Sequence, residues 1–125
     1  MDNSNIEQNN FNYISPEYLE EMTESDSKII KELIQLFKNQ TPDFISEMTR
    51  CIQQNNFFEF KRIVHKARSA VMVIGINELV ERLLELESDE LTEKDSFRLL
   101  EFIPYFSQVV NISIKELDYY LESLN

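Results

Sequence analysis

Residues 57–75 read FFEFKRIVHKARSAVMVIG, and their periodicity decides what kind of protein this is. Phe60, Ile63, Val64, Ala67, Ala70, Val71 and Ile74 recur at intervals of three and four, the spacing of one buried helix face. Gly75, the only glycine in the chain, falls where that helix must stop, because a residue without Cβ takes a left-handed C-terminal cap at little cost. At roughly 100° per residue the apolar face centres between Ile63, Ala67 and Val71, and His65 projects away from it. The only histidine is therefore expected to face solvent.

Working outward toward the C-terminus, Ile76 to Glu87 repeats Leu79, Val80, Leu83, Leu84 and Leu86, with Asn77 available as N-cap. The connection through Gly75 is so short that this helix must return antiparallel to its predecessor. Thr92 with Asp95 three residues on resembles a capping box and opens a last helix, with a stripe of Ile103, Phe106, Val110, Ile114, Leu117, Leu121 and Leu124. Pro104 should bend that helix, unless the helix begins beside it.

Toward the N-terminus, Gln54-Asn55-Asn56 breaks the pattern, and before it Ile30, Leu33, Ile34, Phe37, Phe44, Ile45, Met48, Cys51 and Ile52 form a stripe. Because the stripe keeps its phase across Pro42, one long helix from Asp26 is preferred over two helices divided at Thr41-Pro42. Ser15-Pro16-Glu17 reads as N-cap, first helical residue and an acid at the positive dipole end, starting a short helix from Pro16 to Thr23. Residues 1–13, which open MDNSNIEQNNFN, are polar and aperiodic and read as a flexible tail ahead of one domain spanning 14–125. The fold class expected is all-α: an antiparallel four-helix bundle with a short additional N-terminal helix.

Composition removes several functions. A formal charge of -11 argues against nucleic acid and against an anionic membrane surface, both of which require a basic footprint. One His, one Cys and one Gly leave too little for a zinc site or a phosphate-binding glycine loop. The many glutamates lack the Glu-x-x-His pairs of a di-metal bundle. Cys51 lies on the core stripe and reads as a small buried hydrophobe without a function. With no possible internal disulfide, no leader-like segment and no apolar run of membrane length, the expected home is the cytoplasm.

Against that acidic background the segment Phe57 to Ile74 holds four basic residues and one acid, whereas the rest of the chain holds eight basic and twenty-two acidic. Lys61, Arg62, Arg68 and Ser69 lie three or four residues from His65, so cations ring the imidazole. A neutral imidazole nitrogen attacks electrophilic phosphorus, and nearby cations offset the charge the ring then carries. Arg68, one turn on, is placed to stabilise phosphate, and small Ser69 leaves room for a partner to close over the ring. Phe58, Met72 and Val73 offer apolar docking surface beside Lys61 and Arg62.

His65-Lys66-Ala67-Arg68-Ser69-Ala70 followed by Gly75 resembles the HxLK[GS][SA] signature and downstream glycine of histidine-containing phosphotransfer domains. The resemblance extends over roughly residues 14–124 and departs from the usual pattern at Ala67, commonly leucine, and Arg68, commonly lysine. It implies a phosphoryl carrier without its own catalytic or nucleotide site. His65 would accept the group from a receiver-domain aspartate or a hybrid sensor histidine kinase and pass it to another receiver. The carrier would need no cofactor, the magnesium belonging to the receiver partner, and would work as a monomer. Two other readings compete: a helical adaptor that uses the same face only for binding, and an enzyme with His65 as general base, which would need a concave pocket and an orienting carboxylate.

Overall fold

The computed structural model describes residues 11–124. Five α-helices follow in order: α1 (Glu17–Thr23), α2 (Ser27–Gln53), α3 (Phe57–Ile74), α4 (Asn77–Ser88) and α5 (Ser96–Glu122), with a 3₁₀ turn at Glu93–Asp95 leading into α5. No β-strand occurs among the described residues, and the only strand-like pairing there is a single antiparallel bridge between Ile14 and Ile76. The expected tail at residues 1–10 lies outside the described residues. Residues 11–13 do pack: Phe11 meets Tyr119 edge-on at 6.2 Å, and the Glu116 carboxylate accepts from the backbone N–H groups of Asn12, Tyr13 and Ile14.

Local chemistry explains most boundaries. Asp26 caps α2, its side chain accepting from the N–H groups of Lys28 and Ile29. Asn56 caps α3 in the same way through the Glu59 N–H, and Gly75 ends it at φ +88°. The Thr92–Asp95 capping box is present, but it opens the 3₁₀ turn, and α5 continues from there. Two expected caps are not made. The N-cap of α1 is Pro16, not Ser15, and the Ser15 N–H donates to the Gly75 carbonyl at 2.9 Å. The N-cap of α4 is Ile76, not Asn77, so that helix begins without a side-chain cap and is held by burial of Ile76.

Helix α2 runs unbroken through Pro42, as phase continuity predicts. Proline cannot donate to the carbonyl of Lys38, and the Thr41 hydroxyl donates there instead at 3.4 Å. Helix α5 likewise runs through Pro104, which stands on its exposed side, where water can satisfy the freed carbonyl. The buried face of α5 is Leu99, Phe102, Phe106, Val109, Val110, Ser113, Leu117 and Tyr120. The expected stripe was rotated, since Ile103, Ile114, Leu121 and Leu124 only flank this face. Leu84, expected on the α4 stripe, is exposed.

Helix α3 packs against both α2 and α4, α2 packs against α5, and α1 lies across α2 and α3. A single core contains Phe60, Ile63, Val64, Ala67, Val71 and Ile74 from α3, all essentially inaccessible to solvent. Burying six side chains along one face leaves the opposite face of α3 as surface, and that face carries His65.

Candidate functional site

Only Gly75 and Ile76 separate α3 from α4, so the two helices pack as a hairpin whose register is counted from that turn. His65 stands nine residues before the end of α3, and Glu87 ten residues after the start of α4. At about 1.5 Å of rise per residue the two positions come level. The His65 Nδ1 and Glu87 Oε1 atoms lie 2.5 Å apart, and Arg68 Nε donates to Glu87 Oε2 at 2.7 Å. An Arg68 terminal nitrogen stands 3.3 Å from the same Nδ1.

These contacts assign the tautomer. A carboxylate only accepts, so Nδ1 must carry the proton at 2.5 Å from it, and the guanidinium nitrogen beside Nδ1 is then a neighbour and not a donor to the ring. Glu87 is ionised well into acid: the Arg68 hydrogen bond holds its carboxyl below the ordinary carboxylate value, and the His65 bond lowers it further, against the opposing effect of burial. With Nδ1 protonated, the lone pair of the neutral ring resides on Nε2. The imidazole itself is 58% exposed.

Beside the ring is an open depression of about 400 Å³ lined by Phe58, Lys61, Arg62, His65, Lys66 and Glu87. Arg62 donates to Glu59 at 2.9 Å, one turn back along the helix. Lys61 and Lys66 have no ion-pair partner among the described residues. The Ser69 hydroxyl donates to the His65 backbone carbonyl at 3.2 Å, which folds it down along the helix. Phe58 is 79% exposed and Met72 is also exposed, whereas Val73 is half-buried against the core and offers less surface than expected.

The expected site residues thus come together on one face, with two changes of emphasis. Arg68 is turned inward, 19% exposed, and engaged with Glu87. Glu87 itself was not singled out from the sequence, where it is one glutamate among many on α4. The signal was present as hairpin register: Glu87 lies about as far after Gly75 as His65 lies before it. Leu84, one turn before Glu87, is 47% exposed and adds apolar surface contributed by α4. Among the described residues no three His, Cys, Asp or Glu side chains gather as a metal site, and no helix is long and apolar enough to cross a membrane. No family model, no curated protein and no solved structure matches the chain.

Proposed function

We propose that the protein is a phosphohistidine carrier of the histidine-containing phosphotransfer type, with His65 as the residue that accepts and releases the phosphoryl group. The observation that carries this reading is the exposed imidazole whose Nδ1 is held by Glu87, which leaves Nε2 as the nucleophile of a ring that borders the same depression as Lys61, Arg62 and Lys66. On uptake, the Nε2 lone pair attacks phosphorus as the bond to a receiver's aspartyl oxygen breaks, and that carboxylate departs with the electron pair. The ring then bears positive charge, and Glu87 beside the Nδ1 proton offsets it. On release, an incoming aspartate attacks phosphorus and the imidazole leaves neutral, its Nδ1 still protonated.

The architecture favours such a carrier. Short turns between successive helices, with cross-contacts such as Lys38 to Asp118 between α2 and α5, support an antiparallel four-helix bundle capped at one end by α1. The active imidazole would stand on a rigid helix flank, within reach of another protein's recessed aspartyl phosphate. Magnesium would come with the receiver partner, whose acidic site complements the basic face of α3. Phe58, Met72 and Leu84 supply the apolar rim for a transient interface.

A general-base enzyme has one observation in its favour, the carboxylate at 2.5 Å that orients the ring. The depression is open, however, and the other residues lining it are Phe58, Lys61, Arg62 and Lys66, which include no hydroxyl or thiol nucleophile. The deciding experiment incubates the protein with a phosphorylated receiver or hybrid kinase and magnesium, then maps acid-labile, base-stable phosphate. Label on His65, absent in His65→Gln, is the expected result. Partner binding that survives His65→Gln, without label in the wild type, would instead identify a helical adaptor.

A further inference from the structure

We infer that Lys61 and Lys66, with Arg62 beside them, hold the oxygens of the transferred phosphoryl group, while Arg68 is a positioning residue that acts on the imidazole through Glu87. This inference rests on the carrier reading above and divides the labour among the cations of that site.

The two ring nitrogens face opposite edges of the imidazole, so a group gathered at one edge cannot also enclose a substituent on the other. Arg68 is committed to the Nδ1 edge: its Nε donates to Glu87 at 2.7 Å and its terminal nitrogen stands 3.3 Å from Nδ1. A phosphoryl group on Nε2 projects from the far edge. The depression beside the ring is lined by Phe58, Lys61, Arg62 and Lys66, with Glu87 where it meets the Nδ1 edge, and not by Arg68. Lys61 precedes His65 by one helical turn and Lys66 follows it directly, and neither has an ion-pair partner among the described residues. Arg62 meets Glu59 through one terminal nitrogen and keeps its other donors. Flexible ammonium groups suit this task, because they move with the oxygens as the N–P bond forms and breaks.

Potassium phosphoramidate is a probe that needs no cognate partner. Nε2 attacks its phosphorus, the new N–P bond forms as the old one breaks, and ammonia leaves with the electron pair. The full chain, labelled with ¹⁵N, is first read for the imidazole nitrogen shifts and then for the rate of phosphohistidine formation and its lifetime by ³¹P NMR. Arg68→Ala should move the imidazole nitrogen shifts, because Glu87 loses the partner that holds it, and Arg68→Lys, which retains a donor for Glu87, should restore them in part. Lys61→Ala and Lys66→Ala should leave the ring shifts in place and slow phosphorylation roughly three- to tenfold each. An unchanged rate in the double lysine variant overturns the assignment. So do unchanged ring shifts in Arg68→Ala together with a collapsed phosphohistidine lifetime. A wild type that takes no phosphate, from this probe or from phosphorylated receivers, overturns the carrier reading itself. A phosphorylated wild type with the reversed variant pattern overturns only this division of roles.

Discussion

Replacing Gly75 with alanine tests the turn that sets the register of the site. Gly75 adopts φ +88°, where a side chain costs about 1–2 kcal/mol. The added Cβ would also lie 3.0 Å from the Ser15 carbonyl carbon and closer still to its oxygen. Ser15 would have to retreat, surrendering its 2.9 Å hydrogen bond to the Gly75 carbonyl, a loss of about 1 kcal/mol. Ile14, now 3% exposed, would lose part of its burial with the bridge to Ile76, a further loss of about 1 kcal/mol. The combined cost is about 3–4 kcal/mol, a large share of the ~5–15 kcal/mol that holds an ordinary domain. Urea unfolding followed by circular dichroism measures it, provided the denaturant slope stays constant. Gly75→Asn separates the contributions, since asparagine tolerates left-handed backbone but carries the same Cβ. A loss below about 1 kcal/mol in Gly75→Ala, or near wild-type stability in Gly75→Asn, would refute the close approach of Ser15.

Further predictions concern charge and burial. Glu87→Gln keeps the shape but replaces a charge-assisted hydrogen bond to Nδ1 with a neutral one, a difference of about 1–2 kcal/mol, so phosphorylation of His65 should slow roughly five- to thirtyfold. An unaltered rate would remove Glu87 from the mechanism. The Glu87 carboxyl titrates below its ordinary value because of Arg68, so its contribution to stability is complete above that ordinary value. That contribution is lost as the pH falls through the lowered one, and acid unfolding of Arg68→Ala should begin at higher pH than in the wild type. Tyr105, raised to about 12 by burial and by its hydrogen bond to Glu78, contributes stability that is complete below 10.0 and is lost as the pH climbs toward 12. Tyrosinate absorbance during alkaline titration should show delayed tyrosines, since burial and Glu20 raise Tyr120 as well, and Tyr105→Phe should remove the earlier of the two. Ser113 is fully buried with no hydrogen-bond partner for its hydroxyl among the described residues. Ser113→Ala should therefore stabilise α5 by about 0.5–1 kcal/mol in the same urea assay, and destabilisation would mean the hydroxyl has a partner.

Much of this molecule is legible in local sequence because helix formation is itself largely local. The three-and-four spacing located every long helix, Gly75 and the Thr92–Asp95 box marked boundaries that the structure keeps, and the phase of α2 carried through Pro42. The exposure of His65 also follows from phase alone, since a residue opposite Ile63, Ala67 and Val71 has nowhere to go but solvent. A boundary that depends on a distant partner is not legible in local sequence. Ser15 does not cap α1, and its N–H is joined instead to Gly75, sixty residues along the chain. The buried face of α5 is not legible in its periodicity because neighbouring apolar stripes overlap, and contact with α2 selects among them.

The candidate site divides along the same line. Sequence by itself determined that one imidazole stands exposed amid cations, because the helix that presents it needs its other face for the core. Only the tertiary structure decided that Glu87 meets Nδ1 and that Arg68 turns toward Glu87 instead of outward. The Gly75 turn brings the two positions level, but whether their side chains meet depends on how the two antiparallel helices rotate and approach each other, which packing across the hairpin decides and the periodicity of neither helix encodes.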